Sequence, residues 1–123
     1  MTKTAAQGLG RKGEELAQRF LQERGYRILA QNYRCAAGEM DLIAEAGGYV
    51  AFVEVRTRRG RAFGTPEESL TPAKKRHLRA VAETYLQETA RADCDWRIDL
   101  IAVEMDRAGR LRRIELIENA VTD

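Results

Sequence analysis

The sequence predicts one α/β domain, a mixed sheet with two main helices packed on it. Two segments carry apolar residues at the i, i+3, i+4 spacing of a helix with one buried face. Five others are typical of strands bounded by glycine, proline and polar turn residues. Their order is α-β-β-β-α-β-β. Because 123 residues suffice for one core but not for two, we assign residues 1–123 to a single domain.

The first helix is predicted over residues 9–24, and Gly25 follows it at the position of a glycine that ends a helix. At about 100° per residue, Glu14 falls at the margin of the apolar stripe and Glu15 on the opposite side. Of these two, only Glu14 can therefore face the sheet. The stripe itself consists of Leu9, Gly13, Leu16, Ala17, Phe20 and Leu21.

A first strand is predicted over residues 26–34, and a β-hairpin over residues 38–57 with the glycine pair 47–48 as its turn. This register places Asp41 opposite Glu54 and Glu39 opposite Arg56. Because side chains alternate along a strand, all four would project from the same face.

The second half of the chain continues with a loop over residues 58–70, in which residues 65–68 (TPEE) predict a short helical turn. Thr71 and Pro72 begin the second helix, which we expect to end near Thr89. Strands follow over residues 95–105 and 111–118, and the tail 119–123 is expected to fray. The buried face of the second helix is predicted to consist of Leu78, Val81, Ala82, Tyr85 and Leu86.

Composition excludes several classes of protein. No apolar run approaches the roughly 20 residues of a membrane span, and no secretory signal is evident, so we expect a cytoplasmic protein. Cys35 and Cys94 are read as reduced thiols. One histidine and one serine outside any nucleophile-elbow context argue against a serine hydrolase and a zinc site. The segment 56–79 holds eight Lys or Arg against two Glu, a balance of +6, so the rest of the chain carries −4. Such a segment suits a polyanion.

Asp41 and Glu54 are the candidate metal ligands. Like charges opposite each other destabilise a sheet unless a cation compensates them. Two carboxylates with a main-chain carbonyl, which Val55 could supply, and water are ordinary ligands for Mg²⁺ or Mn²⁺. The alternatives are a different register, with one carboxylate in solvent and the other paired to Arg56 or a lysine, or a cross-strand ion-pair ladder on an exposed face.

Basic residues surround this pair. Arg56 shares the face of Glu54 and could stabilise phosphate charge but cannot act as a base; alternatively it forms an ion pair with Glu39. Lys74 and Lys75 lie in the first turn of the second helix, where the dipole disfavours cations, which suggests an anionic neighbour. Alternatively, the aliphatic stems of both lysines extend across apolar surface and place their charges in solvent. With them, a phosphate track could include Arg58, Arg59 and Arg61, which alone would suit a solvated loop.

The chain resembles the YraN-type family of bacterial proteins, which belongs to the restriction-endonuclease-like, or PD-(D/E)XK, superfamily that also holds archaeal Holliday junction resolvases. The resemblance covers nearly the whole chain. It rests on residues 13–17 (GEELA), 38–43 (GEMDLI), 52–58 (FVEVRTR), 63–64 (FG), Lys74 and 97–99 (RID).

This resemblance implies the restriction-endonuclease-like αβββαβ core, here with an extra C-terminal strand. It makes Asp41 and Glu54 metal ligands and Glu14 a helix carboxylate that supports the site. Arg56 stands where the superfamily pattern has lysine, which leaves turnover open, and Lys74 could compensate for the change.

Three functions remain open from the sequence. The leading hypothesis is a Mg²⁺- or Mn²⁺-dependent nuclease that hydrolyses DNA, with branched structures as candidate substrates. The second is a nucleic-acid-binding module without turnover, and the third is a protein–protein adaptor. DNA is expected over RNA as partner, no membrane association is expected, and a homodimer is left open.

Overall fold

The computed structural model describes residues 5–60 and 64–122. It has two long helices, α1 (Ala5–Glu23) and α2 (Pro72–Glu88), and a short 3-10 turn at Glu67–Ser69. The strands are β1 (Arg27–Cys35), β2 (Gly38–Ala46), β3 (Tyr49–Arg59), β4 (Asp95–Met105) and β5 (Leu111–Val121). The mixed α/β architecture predicted from the sequence is confirmed.

The five strands form one sheet in the order β1-β2-β3-β4-β5. Only β3 and β4 pair in parallel, because α2 carries the chain back between them, and the other neighbours are antiparallel. The two central strands β3 and β4 hold most of the fully buried residues, and helices cover both faces of the sheet.

α1 packs on one face of the sheet and α2 on the other, over separate apolar clusters. The α1 cluster includes Leu21, Leu42 and Val53, whereas the α2 cluster includes Phe52 and the five residues predicted for its buried face. At the end of α1, Gly25 adopts a φ of +86° and its amide donates to Gln22, while the next amide donates to Leu21. This is the glycine-terminated helix end that the sequence predicts.

α1 crosses β3 at Gly13 with almost no clearance. A Cβ atom built on Gly13 would lie 1.9 Å from the Oγ1 atom of Thr57, so no larger residue fits without a shift of helix or strand. This contact fixes the height of α1 above β3 and thereby places Glu14, the next residue, beside the strand.

Three boundaries differ from the sequence predictions by more than one residue. α1 begins at Ala5, because the residues before Leu9 have adequate helix propensity. Arg58 and Arg59 belong to β3, whose pairing with β4 continues to the ends of both strands, and not to a loop. The prediction of a frayed tail was wrong, because β5 continues to Val121, which pairs with Ile98. The Asn119 amide also donates to the Asp99 carboxylate at 3.0 Å.

In the described part of the chain, no helix is long and apolar enough to cross a membrane.

Candidate metal centre

The candidate site lies where β2 and β3 part. The predicted register holds from Ala46–Tyr49 to Leu42–Val53, with the glycine pair 47–48 at positive φ in the turn. Beyond that point the ladder stops, so the predicted pairs Asp41–Glu54 and Glu39–Arg56 do not form. We call this opening between the two strands the fork.

Asp41 occupies the fork. Its Oδ2 atom accepts the backbone N–H of Val55 at 2.8 Å, in place of the Met40 carbonyl that a continued ladder would supply. A strand residue turns its N–H and C=O towards the same neighbour, so the Val55 carbonyl also leaves β3 on the Asp41 side. The carboxylate and this backbone unit therefore share one opening.

Glu54 faces Asp41 from β3 and is 9 % exposed. Burial, the hydrogen bond with Asp41 and the Asp41 charge raise the pKa of Glu54 to about 8, although Arg56 and Lys74 oppose the shift. Burial beside Asp41 therefore favours the protonated form of Glu54 when no cation is bound. The two acids do meet, as the sequence predicted, but through the fork and not as a cross-strand pair.

Arg56 is engaged with Glu54 and not with Glu39. Its Nη2 atom lies 2.6 Å from the Oε2 atom of Glu54, whereas Glu39 pairs with Arg34 at 3.2 Å on the exposed side of the hairpin. The alternative of an Arg56–Glu39 ion pair was wrong, because the strands separate before these positions come opposite each other. Among the described residues, the Arg56 Nε atom is buried without a hydrogen-bond partner.

A cavity of about 330 Å³ opens over the two acids. The first turns of α2 form one wall, and the β2–β3 opening forms the other. Lys74 lines it and is exposed, while Lys75 is half-buried and does not line it. The side chains and backbone around it belong to Ala37, Gly38, Glu39, Asp41, Glu54, Val55, Arg56, Lys74, His77 and Leu78.

His77 is the lining residue that sequence reasoning missed. It was weighed only as a zinc ligand or a serine-hydrolase base. It lies three residues after Lys74 and therefore on the same face of α2. That helical spacing from a candidate phosphate ligand was the available signal.

Glu14 approaches Asp41 from α1. Burial and the charges of Asp41 and Glu39 raise its pKa, and its Oε1 atom is buried with no hydrogen-bond partner among the described residues. The prediction that Glu14, and not the exposed Glu15, faces the sheet is confirmed. Carboxylates from α1, β2 and β3 thus act electrostatically on one another.

The residues of the predicted phosphate track do not lie together: Lys74 lines the cavity, whereas Arg58 and Arg59 lie at the end of β3. Arg58 is half-buried, and its Nη1 donates to the Thr57 carbonyl at 3.4 Å. Arg59 is exposed at the end of β3. Neither lines the cavity described above. Arg61 lies outside the described residues.

The donor set suits a hard divalent cation. Within residues 5–60 and 64–122, no three acidic, histidine or cysteine side chains converge closely enough to hold a metal ion. An ion at the fork would instead take Asp41, Glu54 and the Val55 carbonyl, with water completing its shell. The buried, unpartnered oxygen of Glu14 is the independent feature that calls for a nearby cation or proton.

Comparison with known proteins identifies the family. The model described as "Uncharacterised protein family UPF0102" matches residues 13–103, which include every candidate ligand above. The chain belongs to the UPF0102 family. The YraN-type family predicted from the sequence motifs is thus confirmed.

Several bacterial UPF0102 proteins are similar over almost their whole length. The protein from Pelotomaculum thermopropionicum is 47% identical over 112 residues, covering 91% of this chain and 93% of its own. Those from Caldicellulosiruptor saccharolyticus and Symbiobacterium thermophilum are 46% and 48% identical over 112 residues each, covering 91% of this chain and 95% and 94% of theirs. The similarity to these relatives therefore covers nearly all of the chain whose fold is described above.

Proposed function

We propose that this UPF0102 protein is a restriction-endonuclease-like, Mg²⁺- or Mn²⁺-dependent nuclease that hydrolyses DNA phosphodiesters in a cytoplasmic setting. The observation that carries the proposal is the convergence of Asp41 and Glu54 with the backbone of Val55 at the fork. Two acids that meet where a sheet opens form a site that a divalent cation would stabilise.

A bound divalent cation would polarise the scissile phosphate and lower the pKa of water at the site. The chain's own groups prepare that chemistry. Asp41 and Glu54 would hold the cation, and Glu14 would support Asp41 from α1. Arg56, which now pairs with Glu54, would stabilise charge on the phosphate oxygens.

Lys74 stands at the open side of the cavity, where a phosphate would enter. Its exposed ammonium can neutralise a phosphate oxygen without first breaking an ion pair, since among the described residues no ion pair involves it. His77, one turn along α2, can contact the same backbone. Both residues bind and orient the substrate.

Calorimetric titration of Mn²⁺ into the protein tests the cation site directly. We expect one site in the wild type and a loss of about tenfold or more in affinity in Asp41→Asn, because a charged ligand is removed. Glu15→Gln is the matched control, since Glu15 is exposed on the far side of α1 and should leave affinity unchanged. Equal binding by wild type and Asp41→Asn would remove the site from the fork.

Cleavage is tested on forked, four-way-junction, duplex and single-stranded DNA, with an RNA duplex for comparison. We expect Mn²⁺-dependent cleavage of DNA by the wild type and none by Asp41→Asn. Activity that persists unchanged in Asp41→Asn would come from another site or another protein.

A second candidate is a nucleic-acid-binding module without turnover. It is favoured by the close Arg56–Glu54 pair, in which the guanidinium occupies an oxygen that a metal ion would need. Arg56 also stands where the superfamily pattern has lysine. This candidate predicts salt-dependent binding, no cleavage with any metal, and little loss of affinity in Glu54→Ala. Arg56→Ala separates the two: a nuclease loses turnover while its metal affinity stays the same or rises.

A further inference from the structure

Basic residues from three elements meet at the β4–β5 turn, away from the acids. Lys12 of α1 donates from Nζ to the Gly109 carbonyl at 2.8 Å. Gly109 has a φ of +81°, and the place where its Cβ would stand lies 3.6 Å from the Arg59 Nη2 atom and 3.9 Å from Lys12 Nζ. With the exposed Arg107 and Arg110 of the same turn, these residues form what we call the turn cluster.

The charge of the turn cluster is not balanced locally. In the described part of the chain, none of its four members forms an ion pair with a carboxylate. Asp106, the acid of this turn, is used within it, since its Oδ1 accepts the Ala108 and Arg110 amides at 2.9 Å each. Its Oδ2 lies 3.6 Å from the Nε atom of Arg112. Two cations held near one glycine without a carboxylate favour an anion between them.

The shape of this surface favours a long anion over a small one. Its members are exposed and spread over α1, the end of β3 and the β4–β5 turn. Exposed cations gain little from a single small anion, because water screens each contact. A polymer of phosphates gains from several contacts at once and from release of its counterions.

We propose that the turn cluster is a second phosphate-binding surface that holds a DNA duplex at a fixed distance from the fork. This inference rests on the proposed function. Arg59 is five residues from Glu54 along β3, which is roughly 16 Å at about 3.3 Å per residue. Because side chains alternate along a strand, Arg59 leaves β3 on the face opposite Glu54, so this span is a minimum. It equals about five base-pair steps of duplex, so the cluster contacts a phosphate about five or more steps from the scissile one.

Binding of duplex DNA in EDTA tests the cluster without the metal. The variant Lys12→Gln/Arg59→Gln loses two charges there, and the control Arg24→Gln/Arg27→Gln loses two at the opposite end of the molecule. On a duplex of about two helical turns, we expect affinity about tenfold lower in the first variant and within about twofold of wild type in the control. The slope of log K against log salt should fall by about 2 in the first variant alone.

The length of the duplex sets the second readout. On duplexes shortened to fewer than about five base-pair steps beside the cleavage position, wild type and the Lys12→Gln/Arg59→Gln variant should bind equally. Equal losses in both double variants, or no loss in either, would overturn the inference. A difference that persists on the shortest duplexes would overturn the predicted spacing.

Failure here is distinguishable from failure of the proposed function. Mn²⁺ binding and DNA cleavage with no effect of the turn-cluster variant would keep the nuclease and discard the cluster. Loss of binding in that variant with no cleavage under any metal would keep the cluster on a non-catalytic module. Thermal unfolding checks that both double variants fold, and Lys12→Arg should retain wild-type binding.

Discussion

Glu54 is the residue on which the site's chemistry depends most. Burial and the neighbouring Asp41 raise its pKa to about 8, although the adjacent Arg56 guanidinium opposes the shift. A carboxyl in this state is poised to exchange its proton for a cation near neutral pH. The free energy of unfolding is therefore linked to pH through Glu54.

The stability of the metal-free protein should fall as pH rises from about 5 to about 8. Since the folded pKa of Glu54 lies above its unfolded value of 4.5, its contribution is complete below 4.5 and is lost as pH passes 8. We expect wild type in EDTA to lose roughly 3 kcal/mol more than Glu54→Gln over this range. Urea unfolding of both proteins at pH 5 and pH 8 measures the difference. Parallel pH profiles for the two proteins would contradict the raised pKa.

At the scale of secondary structure, the site is made by a helix packed tightly on a strand and by two strands that part. Gly13 brings α1 against Thr57 and so delivers Glu14 beside β3. The fork then lets the Asp41 side chain reach the Val55 amide. Both features are properties of elements, because each depends on how two segments lie against each other.

Gly13→Ala and Gly10→Ala should have opposite effects on stability. The new methyl at residue 13 would overlap Thr57 and push α1 outward, at a cost of about 2 kcal/mol. At residue 10 nothing lies within 4 Å, so alanine should stabilise α1 by about 0.5–1 kcal/mol. Chemical denaturation checks both. A stabilising Gly13→Ala would show that the helix can rise freely, and Thr57→Ala should partly rescue the loss.

The sequence predicted the elements well because periodicity and turn residues are local signals. It placed β4 at its observed bounds and found the buried face of α2. It brought Asp41 and Glu54 together, but through a ladder that ends one pair earlier. The end of that ladder depends on a side chain replacing a backbone acceptor. No local pattern encodes such a substitution.

At the scale of the whole molecule, one arginine ties the far end of the sheet together. The Arg97 Nη2 atom donates to the hydroxyls of Tyr26 and Tyr49 at 2.8 Å each, and its Nε donates to Asp99 at 2.9 Å. The same Asp99 accepts the Asn119 amide of β5. The last strand thus closes a network that also joins the beginnings of β1, β3 and β4.

Removal of residues 119–123 should lower the melting temperature by about 10 °C. Asp99 would lose a hydrogen-bond donor while staying buried, and Ile98 would lose its partner Val121, for a total of about 2–3 kcal/mol. Removal of residues 122–123 alone should change it by less than about 1 °C. Differential scanning calorimetry compares the two. Equal melting temperatures would mean that the end of β5 adds nothing to the fold.

The parting of β2 and β3 has a mechanical consequence. Past Leu42 and Val53 the two strands are connected through the Asp41 side chain, which contacts the Val55 amide and Glu54, and not by a backbone ladder, so we expect this stretch to open more easily than the paired part of the sheet. A divalent cation bound there would connect β2 and β3 directly. Binding of the cation would then protect the backbone amides around Val55 from exchange. Slower deuterium uptake at those amides would report occupancy of the metal site even where no catalysis is seen.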